Sequence, residues 1–110
     1  MATNLDFTIV QGEDQELFTA QYLDEEGVAI NLTDCSFKMA AKDSIVSSPF
    51  LDFDSTVDVS NMVITGSSLA VKLTSAQSKA IEVSGGFYDL WIIDSLGQKF
   101  KLLYGNITVD

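Results

Sequence analysis

The sequence predicts an all-β domain spanning residues 1–110, an antiparallel sandwich of seven or eight short strands with one helical turn near residues 75–81. Three observations carry that expectation. Apolar residues alternate with polar ones in run after run, the period of a half-buried strand. Clusters of glycine, asparagine, aspartate and serine separate the runs at close intervals, as in sandwiches and partly open barrels. A helix start occurs only at Thr74-Ser75-Ala76-Gln77, where hydroxyl and amide side chains can satisfy each other's backbone donors in a capping box.

Taken in order, Leu5 to Val10 alternates and ends at the turn Gln11-Gly12-Glu13-Asp14. Glu16 to Leu23 forms a second strand with Phe18, Ala20 and Tyr22 on one face, closed by the polar turn Asp24 to Gly27. Val28, Ile30 and Leu32 alternate after it, and in Ser36 to Lys42 the residues Phe37, Met39 and Ala41 alternate with lysines. Residues 43–49 form a loop closed by the single proline. Leu51 and Phe53 begin an edge strand among aspartates, Val57 to Ile64 continues weakly, and Leu69, Val71 and Leu73 alternate cleanly before the capping box.

The strongest signal is the hairpin Gly85 to Val109, whose two apolar runs flank the turn Ser95-Leu96-Gly97-Gln98. Its first run is aromatic and β-branched, a composition that suits a pleated surface. Tyr88, Leu90 and Ile92 share one face with Phe100, Leu102 and Tyr104 of the return run, and these form the expected core. The apolar phase then moves to Ile107 and Val109, which predicts a β-bulge at Gly105-Asn106. Phe87, Asp89, Trp91 and Ile93 share the opposite face. If solvent met that face, it would be a large apolar patch of the kind that marks interaction sites. The alternative is that a second sheet of the same domain covers it.

A chain of 110 residues with 46% hydrophobic content is long enough to bury a core without metals or disulfides. The single cysteine, Cys35, excludes an internal disulfide, so folding needs no oxidising compartment. No membrane span and no secretory signal are visible. Without such a signal, Asn31-Leu32-Thr33 and Asn106-Ile107-Thr108 are chance matches to the glycosylation tripeptide. Six lysines and no arginine against sixteen carboxylates give a net charge of −10, concentrated where residues 1–34 carry no lysine. Nucleic acid and anionic membrane are therefore not expected partners. Asp6, Glu13, Asp14 and Glu16 form an acidic region able to steer a basic partner.

Catalysis finds little to work with. The chain has no histidine, which excludes histidine-dependent triads and imidazole metal sites. Cys35 lacks an activating partner and reads as a small buried hydrophobe. Asp52, Asp54 and Asp58 lack the glycine turn and terminal glutamate of a calcium loop, and a charged strand edge explains them as well. Gly85 and Gly86 precede a strand and make no phosphate loop. No enzyme activity, cofactor, metal or small-molecule substrate is expected.

The order of signals resembles the small immunoglobulin-like β-sandwich modules of tailed-bacteriophage virions, found in tail, baseplate, fibre-attachment and capsid-decoration proteins. The resemblance runs from Phe7 to Gly12, through Phe18 to Gly27 and Val28 to Thr33, to Leu69-Ala70-Val71-Lys72-Leu73-Thr74. It closes with Gly86-Phe87-Tyr88-Asp89-Leu90 and Leu102-Leu103-Tyr104-Gly105. It implies a virion structural protein, made in the bacterial cytoplasm and present in multiple copies beside other virion proteins. With no fibre stalk after the module, an adaptor or decoration subunit is expected. The partner-binding residues would be Phe87, Trp91, Ile93, Asp6, Glu13, Asp14 and Glu16. The alternative is a stand-alone module that binds carbohydrate or protein through Trp91.

Overall fold

The computed structural model describes residues 3–23, 25–44 and 48–110. Asp24 of the acidic turn and residues 45–47 of the proline loop lie outside the described residues. Two sheets face each other. The larger contains β1 (Thr3–Asn4), β2 (Phe7–Ile9), β4 (Ser36–Lys42), β5 (Leu51–Asp54), β8 (Gly85–Ile93) and β9 (Lys99–Val109). Its order is β1-β9-β8-β4-β5, with β2 also on β9. The smaller holds β3 (Gln15–Gln21), β7 (Ser68–Leu73) and β6 (Met62–Thr65), in the order β3-β7-β6. The opening strands run parallel to β9, and the remaining pairs are antiparallel. This is the strand order of an immunoglobulin-like sandwich, with β3, β7 and β6 in one sheet and the β8–β9 hairpin and its neighbours in the other.

The core lies where the inward residues of the sheets meet. Phe37, Met39, Ala41 and Leu90 from the larger sheet and Leu69, Val71 and Leu73 from the smaller are all at most 2% exposed. Phe7, Phe18 and Tyr88 join the sheets, with ring centroids 4.9–6.2 Å apart. The helical turn α1 (Ser75–Lys79) carries the capping box the sequence announces. The Gln77 N–H donates to the Thr74 hydroxyl at 3.1 Å, and the Thr74 N–H donates to the Gln77 amide oxygen at 3.0 Å.

Four expectations need correction. The bulge is not at Gly105-Asn106. The β8–β9 ladder steps from Leu90–Leu103 to Trp91–Lys101, so the extra residue is Leu102. That step lets both Leu102 and Leu103 reach the core, and it turns Tyr104 outward, opposite Asp89. Gly105 instead answers a close approach, because a side chain there would meet the carbonyl of Leu5. Phe100 shares a face with buried Ile92 but is 50% exposed. Among the described residues no strand flanks its level of β9 on the side away from β8, where the pairing of β1 begins at Leu103. Val28 to Leu32 forms no strand among the described residues, only the bridge Leu23–Ala29. Val57 and Val59 lie in turns and are 75% and 67% exposed, because Asp54 and Asp58 close this segment by hydrogen bonds of their own.

Candidate functional site: the outer face around Trp91

The smaller sheet covers only one side of β8, the side of Tyr88, Leu90 and Ile92. The other side, with Phe87, Asp89, Trp91 and Ile93, is the outer face of the larger sheet, and no second sheet lies over it among the described residues. Phe87 is 39% exposed, while Trp91 and Ile93 are half-buried. What shields them is lysine. Lys38 and Lys101 stand directly opposite Trp91 on the flanking strands, Lys42 opposite Phe87 and Lys99 opposite Ile93. The ammonium groups of Lys99 and Lys101 sit 4.8 and 5.2 Å from the centre of the Trp91 ring, where its negative face attracts them. Lys101 also meets Asp89 at 4.0 Å, and Lys38 meets Asp54 at 3.9 Å. Both contacts are long and exposed, so each contributes little to stability.

The alternation of β4 makes this arrangement. Phe37, Met39 and Ala41 point to the core, which places Lys38 and Lys42 outward beside the β8 aromatics. The step at Leu102 does the same for β9, keeping Lys99 and Lys101 outward on one side of it and Tyr104 on the other. Phe87, Trp91 and Ile93 are thus brought together on one surface.

The acidic residues are not one site. Asp6 is at the break between β1 and β2, where its carboxylate accepts from the Asn106 N–H at 2.8 Å. Asp14 accepts from the Ser75 N–H at 2.6 Å and anchors the start of α1. Glu13 and Glu16 are exposed near it, Glu16 opposite Lys72. Glu13, Asp14 and Glu16 therefore share one end of the sandwich, and Asp6 stands apart with a structural bond.

Two buried polar residues were not singled out in the sequence. The Asn61 amide donates to the Lys72 carbonyl and to Gln77, and the Ser78 hydroxyl accepts from Gly12 and donates to Glu13. Both fix α1 to its surroundings. A serine in a capped helix and an asparagine between strands are ordinary surface residues by pattern, so no local signal marks them.

Nothing else in the described residues offers a catalytic constellation. Partial burial first, then Asp94 and Asp34, push the Cys35 thiol up from its ordinary range, away from the reactive thiolate. The Asp54 carboxyl is held below its ordinary range by the Thr56 hydroxyl, the Thr56 N–H and Lys38. It is thereby committed to a turn, and no group of three metal-ligating side chains forms among the described residues. A cleft of about 180 Å³ opens between the sheets, lined by residues that include Tyr22, Leu32, Phe37 and Leu102. Wider, open depressions of about 390 Å³ beside Phe87, Asp89 and Lys101 and about 600 Å³ beside Asp14, Glu16 and Lys72 lie on the surface.

No protein-family profile matches the chain, and no curated protein does. Among solved structures the chain is similar to Drosophila OTK, extracellular domains 3–5, at 15% identity with a TM-score of 0.41. The likeness covers 94% of this chain and 32% of that one. The fold assignment rests on the strand order itself.

Proposed function

We propose that this chain is a non-enzymatic structural subunit of a tailed-bacteriophage virion, an adaptor or decoration protein that binds other virion proteins on the tail, baseplate or capsid. The observation that carries the reading is the outer face of the larger sheet, where Phe87, Trp91 and Ile93 lie beneath lysines and no sheet covers them among the described residues. Such a surface suits contact with a protein. The order of sequence signals from Phe7 to Gly105 supports the virion setting. The stand-alone carbohydrate module is the weaker reading, because sugar rings need an open aromatic face and the Trp91 ring already holds two ammonium groups.

Mass spectrometry of purified intact particles is the test. The chain is expected among the particle proteins at a fixed copy number. A chain found only in the soluble fraction of infected cells, never in particles, contradicts the assignment.

A further inference from the structure

Four of the six lysines, Lys38, Lys42, Lys99 and Lys101, stand on the outer face of the larger sheet of a chain whose net charge is −10. The same face carries Asp52, Asp54 and Asp89, and the lysines outnumber these carboxylates. Two of these ammonium groups converge on a single ring, at 4.8 and 5.2 Å from its centre. Like charges drawn to one ring repel each other, and an anion placed against both relieves that repulsion. On this face the described ion pairs are those of Lys101 with Asp89 and of Lys38 with Asp54, and Lys99 meets only the ring.

The chain itself carries the complementary surface. Glu13, Asp14 and Glu16 are exposed at the end of the sandwich held by α1, on the turn and strand that belong to the smaller sheet. The chain leaves α1 for Gly85 and Phe87, so that end corresponds to the start of β8, whereas Trp91, Lys99 and Lys101 lie toward its finish. The two patches therefore occupy different parts of the molecule.

We propose that the Trp91–lysine face docks the acidic turn, Glu13 to Glu16, of a second copy of this chain. Because the patches are distinct, each copy keeps one of each available after the first contact. Such a heterologous contact propagates into a ring or a filament and does not stop at a dimer. At physiological ionic strength the screening length is about 8 Å. The repulsion between two bodies of net charge −10 is then largely screened, while charges in contact still attract. This inference deepens the proposed function by naming the partner as another copy, but its test needs no virion.

The experiment is sedimentation equilibrium on the purified full-length chain, with the emission of its single tryptophan followed in parallel. The parent's average mass is expected to rise past that of a dimer as concentration increases, with a shift of Trp91 emission in step. K99E/K101E and E13K/E16K should each stay at the 12.0 kDa monomer. Mixing the two variants should restore association, since each supplies the charge the other lacks. Circular dichroism confirms that both retain the parent's sheet signal. A parent that stays monomeric overturns the proposal, as do variants that associate like the parent or a folded mixture that remains monomeric. A monomeric parent whose Trp91 emission shifts with heparin also overturns it and gives the face to an anionic glycan. If self-association fails while particles contain the chain, the virion reading stands and this one falls.

Discussion

The Tyr88 hydroxyl donates a hydrogen bond at 2.5 Å to the backbone carbonyl of Leu5, which lies beside Gly105, the cross-strand partner of Tyr88. Three strands meet in that contact. The ring packs on Phe7 and Phe18, its hydroxyl holds the break between β1 and β2, and a glycine keeps the path between them open. The kink at Leu5-Asp6 lets one opening segment pair with β9 twice, at Leu103-Tyr104 and again at Ile107 to Val109. That pairing extends the larger sheet past β9 at the Leu103 to Val109 end of the strand.

Burial, followed by the nearby Asp6 carboxylate, pushes the Tyr88 phenol up to about 12. Its ordinary value is about 10, so the folded chain holds this proton at a pH where the unfolded chain has released it. The resulting stability is complete below pH ~10 and is lost as pH rises toward 12. Tyr88→Phe should therefore be less stable than the parent by about 1 kcal/mol near neutral pH, the usual value of one hydrogen bond. Urea denaturation at stepped pH should show that difference narrowing between pH 10 and 12, the window set by those two values. A difference that stays constant across the window would detach the phenol from the alkaline transition.

Gly105→Ala places a methyl group against the Leu5 carbonyl, a backbone atom that cannot rotate away. The opening strands should detach from β9 before the rest of the sandwich melts. A loss of about 1–3 kcal/mol is expected, with amide exchange accelerated at residues 3–9. Unchanged exchange there would show that the kink relaxes freely.

The two apolar ends of the hairpin should respond unequally to truncation. Leu90 is completely buried, so Leu90→Ala should cost about 2–5 kcal/mol. Phe100 is half exposed, so Phe100→Ala should cost well under that lower bound. Equal losses, measured by chemical denaturation, would contradict the half-exposed placement of Phe100.

Much of this architecture is legible in residue alternation. The phases of Phe37-Met39-Ala41 and Leu69-Val71-Leu73, the capping box and the inward Tyr88-Leu90-Ile92 all read directly from spacing. Trp91 was marked by standing out of phase with them. The bulge at Leu102 was not legible, because Leu102, Leu103 and Tyr104 are all apolar and any of them could face inward. The glycine at 105 pointed to the wrong irregularity, since close backbone approach and a bulge leave the same mark in a sequence. The exposure of Phe100 depends on how far a separate strand extends along β9, a tertiary fact no local pattern holds. The clustering of lysines on the Trp91 face likewise requires the pairing of β4, β8 and β9, which are distant in sequence.

On the proposed virion reading, the outer face around Trp91 meets a neighbouring protein in the particle. Labelling of lysines by an amine-reactive reagent, with site-by-site quantification, tests it most directly. In the free chain Lys38, Lys99 and Lys101 are exposed and should react readily. In intact particles the same three should be strongly protected. Equal labelling of these lysines in free chain and particle would contradict the account.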